Sequence, residues 1–388
     1  MLCMDIKEQA IEVHRQKRGK LEIASRVPLE TKEDLSIAYT PGVAEVCLAI
    51  AREPERVWEL TMRGRSVAIV TDGSAILGLG NIGPTAGLPV MEGKAVIYKR
   101  FADVDAWPIC LDTQDVEEIV ATVKHLSPTF GAIQLEDISA PRCFEIEERL
   151  QRELDIPVFH DDQHATAIVA LAALTNALRV VDKKIENVRI VISGAGAAGI
   201  AISHLFADAG ARSIRVLDSM GVIKSNRPEG SNPYKDRLAK RLEALDPADY
   251  GSDLHAVLAG ADVFVGVSQP GLLVAEDIKT MNQDAIVFAL ANPIPEIMPD
   301  VAKAGGAAVV ASGRSDFPNQ INNAVVYPGI FLGALRTRLR NFTSDIKRIV
   351  AQTVADLVPE PRADKILPTM FEPNLAEHIA EAMTKHGV

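Results

Sequence analysis

The chain has 388 residues, 47% of them hydrophobic and 24% charged, and its formal net charge at pH 7 is -11. This length favours two or three domains of roughly 100–200 residues, with a core large enough to need no disulfide staple. The negative charge argues against a nucleic-acid-binding surface, because phosphate binding needs clustered lysine and arginine. An anionic small-molecule substrate is still possible, because a local metal ion or cation outweighs the average field.

The cysteine pattern and the apolar runs predict a cytoplasmic protein that does not span a membrane. Four scattered cysteines form no C-x-x-C pair, which favours a reducing compartment over a disulfide scaffold. The first ten residues mix charged and apolar side chains and lack the core of a signal peptide. The most apolar stretch, residues 165–181, is interrupted by Asn176 and Arg179 and is better explained as a buried helix.

Two features precede the first predicted sheet. Apolar residues at helical spacing predict a surface helix within the first twenty residues. In the motif Y-T-P-G-V-A-E, Pro41 and Gly42 mark a turn, which places Tyr39 on a loop before a helix.

Strands and helices then alternate, which predicts a parallel sheet. The predicted strands are 67–70, 107–111, 132–135 and 158–160, and the helices between and after them are 116–125, 144–154 and 165–181. The segment 75–94 contains five glycines, a density that lets the backbone pass close to another segment or to a ligand.

Acidic residues follow the predicted strands, at the sheet edge where such folds bind ligands. They are Asp72, Asp112, Glu136, Asp137, Asp161 and Asp162. Six carboxylates at one edge would repel one another unless a cation lies among them. Glu136, Asp137 and Asp162 offer hard oxygen ligands that suit Mg²⁺ or Mn²⁺. A solvated turn or a helix cap is the competing interpretation of such acids.

A glycine-rich turn in the second half predicts dinucleotide binding. The sequence S-G-A-G-A-A-G lies between a predicted strand, 188–192, and an amphipathic helix. Its glycines fit the G-x-G-x-x-G pattern: Gly194 for a tight turn, Gly196 for approach of the pyrophosphate, and Gly199 for helix–sheet packing. The intervening residues are Ala195, Ala197 and Ala198. The helix N-terminus would receive the phosphates.

The second predicted strand of this unit, 214–217, ends at Asp218, which can accept hydrogen bonds from the ribose hydroxyls of NAD. Enzymes that use NADP commonly place a lysine or arginine two residues after this acid to bind the 2′-phosphate, and here that residue is Met220. Lys224 and Arg227 are close enough in sequence to bind the phosphate instead. We therefore expect use of both cofactors, with NAD preferred. The segment 227–235 is predicted to be an exposed loop.

Further strands at 263–267 and 286–290 are followed by Ser268 and Asn292, which would border the nicotinamide. Asn322 and Asn323 mark a turn, or in a cleft would bind a carboxylate. The predicted divisions are an N-terminal catalytic and metal domain, 1–164; a Rossmann-type domain, 165–318; and a helical segment, 319–388, that packs back on the first. The fold class is α/β, a parallel-sheet domain plus a doubly wound dinucleotide-binding domain.

Together these motifs resemble those of the malic enzymes in their short microbial form. The matching stretches are Y-T-P-G-V-A-E, T-D-G-S-A-I-L-G-L-G-N-I-G-P, G-L-P-V-M-E-G-K-A, L-E-D-I-S-A-P, F-H-D-D-Q-H, S-G-A-G-A-A-G and N-Q-I-N-N. They run in family order from about residue 22. We expect no acyltransferase-like C-terminal domain of the kind that the longer microbial forms carry.

The resemblance implies oxidative decarboxylation of malate to pyruvate and CO₂, with reduction of NAD(P) and a divalent metal ion. It assigns Tyr39 as general acid and Lys94 as general base. It assigns the metal ligands to Glu136, Asp137 and Asp162, with Asp161 as a supporting carboxylate. It places substrate next to Asn292 and Asn323, with Asn322 beside them. A homo-oligomer, dimer or larger, is also expected.

Three alternatives stay open. The same site would serve an oxaloacetate decarboxylase or a non-oxidative enzyme that converts malate to lactate. A cofactor-binding regulatory protein that has lost turnover is the third, and its one hint is Ala165, where the family usually has glycine. Accumulation of NAD(P)H with malate separates these alternatives from oxidative decarboxylation.

Overall fold

The structure, a computed structural model, describes residues 5–225, 227–249 and 251–386. The strands are β1 (Ser66–Thr71), β2 (Asp105–Cys110), β3 (Ala132–Leu135), β4 (Val158–His160), β5 (Arg189–Ser193), β6 (Ser213–Asp218), β7 (Gly221–Val222), β8 (Val263–Gly266), β9 (Ile286–Ala289) and β10 (Val309–Ser312).

The helices of the first half are α1 (Ile6–Lys17), α2 (Lys32–Ala38), α3 (Val43–Arg52), α4 (Val57–Leu60), α5 (Pro84–Ala102), α6 (Val116–Leu126), α7 (Arg142–Glu153) and α8 (Asp161–Val180). Those of the second half are α9 (Ala197–Asp208), α10 (Pro233–Leu245), α11 (Leu254–Leu258), α12 (Ala275–Lys279), α13 (Pro299–Ala304), α14 (Tyr327–Thr337), α15 (Ser344–Asp356) and α16 (Leu375–Lys385).

The first sheet has the strand order β2-β1-β3-β4 and is parallel throughout. Its strands confirm the four predicted from the sequence, and β3 and β4 begin and end at the predicted residues. The helix predicted to begin at residue 165 instead begins at Asp161. Asp161 and Asp162 therefore lie in the first turn of α8, where the helix dipole favours negative charge.

The second sheet has the order β10-β9-β8-β5-β6-β7, and only the β6–β7 pair is antiparallel. Numbered from β5, this is the doubly wound order 3-2-1-4-5-6, with a two-residue strand in the third position. The predicted α/β fold with a Rossmann-type sheet is confirmed. The order reverses between β5 and β8, so the loops after these strands diverge and leave a crevice at their carboxyl ends.

The C-terminal helices pack against the first sheet and its helices. The ring of Tyr98 in α5 lies 4.9 Å from that of Tyr327 and 5.5 Å from that of Phe331, both in α14. The buried Asn176 of α8 donates hydrogen bonds to two carbonyl oxygens of the C-terminal segment, at 2.8 and 2.9 Å. These contacts hold α8 between the first sheet and the C-terminal helices.

Residues 21–53 form a projecting segment, called the arm below, in which no residue is buried. Lys20 fixes its start, because the ammonium donates to the carbonyl oxygen of Pro89 at 2.7 Å. Glu55 fixes its end through an ion pair of 2.8 Å with Arg338.

The arm contains the one stretch of the described residues whose helical length and apolar composition would suit a membrane span, Lys32–Arg52. It comprises two short helices, α2 and α3, rather than one.

Candidate active site at the edge of the first sheet

Three carboxylates meet where β3 and β4 end. Glu136 and Asp137 directly follow β3, and Asp162 lies in the first turn of α8. One carboxylate oxygen from each residue lies within 4.8 Å of the other two. The parallel register of β3 and β4, with Leu135 beside His160, brings the two strand ends together.

The donor set fits a divalent cation. Asp137 Oδ1 accepts a hydrogen bond from the backbone N–H of Leu77 at 3.3 Å. Its Oδ2 is buried and has no hydrogen-bond partner in the described part of the chain. Burial and the neighbouring Asp162 raise the pKa of Asp137 to about 7. A cation bound by Glu136, Asp137 and Asp162 would satisfy the orphaned oxygen and offset the repulsion.

Lys94 projects from the middle of α5 into this cluster. Its ammonium lies 2.6 Å from Asp161 Oδ2 and 2.9 Å from Glu136 Oε2. Burial lowers the pKa of Lys94, but the two carboxylates outweigh it and hold the pKa well above its ordinary value. A cation among the carboxylates would act in the opposite direction, because like charges disfavour an ammonium.

Asn323 comes to the same place from the far end of the chain. Its amide donates to Asp161 Oδ2 at 2.8 Å, and its oxygen accepts from the Thr166 hydroxyl at 3.0 Å. Asn322 uses its side-chain oxygen to accept from the backbone N–H of Ala324 at 2.9 Å and so begins a short 3₁₀ turn. Asn322 therefore begins a turn, as one of the two interpretations predicted. Asn323 is hydrogen-bonded to the carboxylate of Asp161, and its contact with substrate stays a prediction.

Of the six predicted edge acids, three form the cluster and Asp161 is linked to it through Lys94, whereas the other two are not part of it. Asp72 is buried and accepts hydrogen bonds from the backbone N–H of Ser74 and the guanidinium of Arg142, both at 2.9 Å. Asp112 is exposed after β2. All six acids therefore follow strands at the carboxyl edge of this parallel sheet, as predicted, although Asp72 and Asp112 do not belong to the cluster. The strand pattern places an acid at a strand end but does not determine which way its side chain turns.

The glycine-rich turn has the geometry that dinucleotide binding needs. Gly194 has φ 116°, and a Cβ there would lie 2.5 Å from the carbonyl oxygen of Val267. A Cβ on Gly199 would overlap the carbonyl oxygen of Gly194, whereas one on Gly196 would meet no atom within 4 Å. The backbone thus leaves no room for a side chain at Gly194 or Gly199, whereas the space beside Gly196 holds no protein atom. Helix α9 begins at the next residue with no side chain capping its N-terminus, which leaves its N–H groups for phosphate.

Loops of the second sheet border the same crevice. The hydroxyl oxygens of Ser268 and Ser193 lie 3.0 Å apart, at the ends of β8 and β5. Asn292 follows β9, and a Cβ on Gly78 would overlap its carbonyl oxygen. The loop after β9 therefore touches the glycine-rich loop that follows β1 in the first sheet. Ile76, two residues before Gly78 in that loop, is buried. Asn292 is therefore in contact with the loop that carries Gly78.

Asp218 lies at the end of β6, as predicted, but its carboxylate is already engaged. Arg227 donates to both oxygens, at 2.8 and 2.7 Å, and Lys235 donates to Oδ2 at 2.7 Å. Despite the effect of partial burial, these hydrogen bonds hold the pKa of Asp218 well below its usual range. Lys224 pairs instead with Asp249 at 3.1 Å. The prediction of an exposed loop at 227–235 is wrong at both of its ends, which turn back onto Asp218.

Tyr39 lies apart from this cluster within one chain. It lies between α2 and α3 and is 67% exposed. No described contact links its side chain to Lys94 or to the carboxylates. Tyr327 was not predicted from the sequence as a site residue. Its ring lies 4.8 Å from the Lys94 ammonium, and its buried hydroxyl has no hydrogen-bond partner among the described residues. No motif distinguishes this tyrosine from an ordinary core aromatic residue.

A Rossmann-type sheet that opens toward a lysine and a carboxylate cluster defines a dinucleotide-dependent oxidoreductase. The model of the malic enzyme N-terminal domain matches residues 18–151, and that of the malic enzyme NAD binding domain matches residues 164–388. This chain belongs to the malic enzyme family.

Relatives and solved structures agree with this assignment. The NAD-dependent malic enzyme of Geobacillus stearothermophilus is 52% identical over 95% of this chain and 76% of its own length. The bifunctional malic/malolactic enzyme of Bacillus subtilis is 50% identical over 98% of this chain and 93% of its own. The crystal structure of malic enzyme from Pyrococcus horikoshii has a TM-score of 0.93 at 46% identity, covering 99% of this chain and 92% of that one.

Proposed function

We propose that this protein oxidatively decarboxylates malate to pyruvate and CO₂ while reducing NAD or NADP. The observation that carries the proposal is the position of Lys94, whose ammonium contacts both Glu136, at the edge of the carboxylate cluster, and Asp161. A base there lies beside the proposed cation site. The alternatives, an oxaloacetate decarboxylase, a malate-to-lactate enzyme or an inactive regulator, are not favoured by the family comparisons.

The proposed metal ligands are Glu136, Asp137 and Asp162. A bound Mg²⁺ or Mn²⁺ would supply Lewis-acid polarisation of the malate hydroxyl and stabilise negative charge after loss of CO₂. Support comes from the orphaned Asp137 Oδ2 and from the closeness of three carboxylates.

The chain's own residues would then handle the protons and the substrate. Lys94 would take the proton of the C2 hydroxyl, and a nicotinamide bound in the crevice would supply the hydride acceptor for C2. Asp161 supports Lys94 through the 2.6 Å contact, and Asn323 fixes Asp161 at 2.8 Å. Asn292 and Asn323 bind a substrate carboxylate, with Asn322 beside them, and Tyr39 delivers a proton to C3 after CO₂ has left.

We propose that NAD is the preferred cofactor and that NADP is also accepted. Asp218 occupies the position that reads the ribose, but Arg227 and Lys235 offset its charge and would attract a 2′-phosphate. Some relatives are named NAD-dependent, such as the Geobacillus stearothermophilus enzyme, and others NADP-dependent. The NADP-dependent enzyme of Halomonas elongata is 43% identical over 95% of this chain and 90% of its own length.

Steady-state assays with malate, Mn²⁺ and each cofactor test the function, with NAD(P)H and pyruvate measured together. Equal amounts of the two products are expected. Cofactor binding without turnover would overturn the proposal in favour of a regulator. Lactate without net NAD(P)H would overturn it in favour of the non-oxidative enzyme.

The role of Tyr39 is tested separately. Replacing it with phenylalanine removes only the phenolic proton donor, so Tyr39→Phe should chiefly block the final protonation and cost roughly 10²–10⁴-fold in turnover. Parental turnover of malate by this variant would contradict the role.

Three further assignments remain predictions. They are the division of the chain at residues 164 and 318, a cytoplasmic location, and assembly as a homo-oligomer.

A further inference from the structure

A buried carboxylate contacts the first turn of α8, the turn that carries two of the active-site acids. It belongs to Glu147, near the middle of α7, which is only 5% exposed. Its Oε1 accepts a hydrogen bond from the backbone N–H of His160 at 2.8 Å. Its Oε2 accepts from the side-chain amide of Gln163 and lies 2.9 Å from Nε2 of His164. Glu147 thus binds the residue immediately before the two acids and the two residues immediately after them.

The same network reaches the C-terminal helices. The ammonium nitrogen of Lys347, in α15, lies 2.9 Å from Nδ1 of His164. An ammonium has donors only, so Nδ1 accepts from it and Nε2 carries the hydrogen that is donated to Glu147. Three donors therefore face the Glu147 carboxylate, and an ionised carboxylate has acceptor sites for all three.

Helix α8 depends on this carboxylate for its start. Its N-cap residue, His160, makes no side-chain hydrogen bond to the first turn. In a capping box, an acid or amide three residues into the helix binds the backbone N–H of the N-cap residue. Here that residue is Gln163, whose amide donates to Glu147, and Glu147 binds the N–H of His160 instead. A side chain of α7 therefore fixes where α8 begins.

The two acids of the turn differ in what else holds them. Asp161 Oδ2 also accepts from Lys94 and Asn323, at 2.6 and 2.8 Å. Within the described residues, Asp162 is held by one hydrogen bond, from the backbone N–H of Asp137 at 2.9 Å. The position of Asp162 relative to the other carboxylates therefore depends mainly on where the first turn of α8 lies.

Stability alone is a weak reason for a buried ionic network of this kind. Replacing buried ionic groups with apolar side chains of similar volume is often neutral or stabilising. Such a network does fix geometry, because a buried donor without an acceptor destabilises the fold. Metal sites need fixed geometry, and changing a residue that orients a ligand typically lowers metal affinity by roughly 10–100-fold.

We propose that Glu147 is a positioning residue for the metal site, which holds the first turn of α8 so that the Asp162 carboxylate lies beside Glu136 and Asp137. This assignment rests on the proposed function, in which these three carboxylates bind the cation. Glu147 touches neither cation nor substrate and acts through the backbone and side chains of α8.

Glu147→Gln tests the proposal at almost constant volume. The variant keeps an acceptor for the N–H of His160 but turns an NH₂ group toward Gln163 and His164, so the first turn of α8 should shift. The affinity for Mn²⁺, measured by electron paramagnetic resonance without substrate or cofactor, should fall by roughly 10–100-fold. The affinity for NAD, measured by calorimetry, should be unchanged. Excess Mn²⁺ should restore most of the malate oxidation, because Asp161 keeps its other partners.

Asp262→Asn is the matched control. Asp262 is also a buried carboxylate, and it accepts from the backbone N–H of Arg189 at 2.8 Å and from Lys183 at 2.9 Å, but it belongs to the second sheet's side. Its loss should lower the free energy of unfolding in urea and leave Mn²⁺ affinity unchanged. Wild-type Mn²⁺ affinity in Glu147→Gln, an equal loss in both variants, or a loss of turnover that saturating Mn²⁺ does not restore would each overturn the proposal.

Lys347→Met gives a second test if Glu147→Gln does not fold. It removes the group that sets the His164 tautomer and so weakens one hydrogen bond to Glu147, which should lower Mn²⁺ affinity by about threefold. Unchanged affinity would overturn the proposal. Wild-type protein that binds Mn²⁺ but does not oxidise malate would overturn the proposed function alone, whereas wild-type protein that binds no Mn²⁺ would overturn both.

Discussion

Arg227 holds the carboxylate of Asp218 through two parallel hydrogen bonds of 2.8 and 2.7 Å. Bidentate pairs of this kind are among the stronger charge-assisted hydrogen bonds in proteins. The ribose-reading acid is therefore neutralised before a cofactor arrives. Cofactor specificity then depends on whether the Arg227 guanidinium stays hydrogen-bonded to Asp218 or binds the 2′-phosphate of NADP.

Removing the guanidinium should favour NAD. In Arg227→Ala, Asp218 is freer to accept the ribose hydroxyls and to repel a 2′-phosphate, so the ratio of kcat/KM for NAD over NADP should rise about tenfold, equivalent to about 1.4 kcal/mol. Lys224→Ala is the matched control, because Lys224 pairs with Asp249 rather than Asp218. An unchanged ratio in Arg227→Ala would show that the arginine takes no part in cofactor choice.

Two glycines of the dinucleotide turn should respond differently to alanine. Gly199→Ala puts a methyl group into the carbonyl oxygen of Gly194, so it should lower the free energy of unfolding by about 1–3 kcal/mol. Gly196→Ala meets no protein atom, so it should keep the wild-type stability and lose cofactor affinity, because its methyl occupies the space facing the pyrophosphate. Urea unfolding and cofactor titration measure the two effects, and equal cofactor affinity in Gly196→Ala and wild type would contradict the assignment.

Activity should require a divalent cation. Chelator-treated protein should lose malate oxidation and regain it with Mn²⁺. Asp162→Asn should weaken Mn²⁺ binding by at least 10-fold while leaving cofactor binding unchanged, in line with the usual cost of disturbing a metal site. Asp112→Asn is the control, since Asp112 is an exposed acid after the neighbouring strand β2. Full activity after chelation would rule the cation out.

Loss of the proposed base should abolish turnover without unfolding the protein. Lys94→Ala should reduce kcat by roughly 10²–10⁴-fold. The control is Lys99→Ala on the same helix, because Lys99 pairs with Asp103 and Asp105 outside the site. If both variants lost similar activity, the effect of Lys94 would be one of helix packing rather than of base catalysis.

Acid should destabilise the protein partly through His204. Burial and the adjacent Arg241 lower the pKa of this imidazole from 6.5 to about 4, and its Nδ1 lies 3.0 Å from the Arg241 guanidinium. The unfolded chain protonates the ring below about pH 6.5 and the folded protein does not until about pH 4, so the unfolded state binds more protons in this window. The free energy of unfolding should therefore fall on acidification, by about 2 kcal/mol at pH 5 from this group.

His204→Asn keeps a hydrogen-bond acceptor for Arg241 and removes the titration. Urea unfolding at pH 7 and pH 5 should show a smaller acid loss in the variant than in the wild type. The same loss in both proteins would assign the pH dependence to other groups.

The sequence by itself determined the features that depend on neighbours in the chain. The turn at Gly194 and Gly199 is predicted by its glycine spacing together with the strand before it and the helix after it. The positive φ of Gly194 and the close approach at Gly199 give the physical reason. Strands β3 and β4 follow from short apolar runs, and their parallel arrangement places Glu136, Asp137 and Asp162 at one edge.

Only the tertiary structure decided how distant side chains meet. Asp72 turns to Arg142 rather than to the cluster because a partner 70 residues away in the chain is available. Arg227 reaches Asp218 because the loop between them closes back on β6. Asn323 reaches Asp161 because α14 packs on α5 and carries the preceding loop to α8. Periodicity records which face of an element is buried, whereas these contacts depend on how elements far apart in the chain pack together.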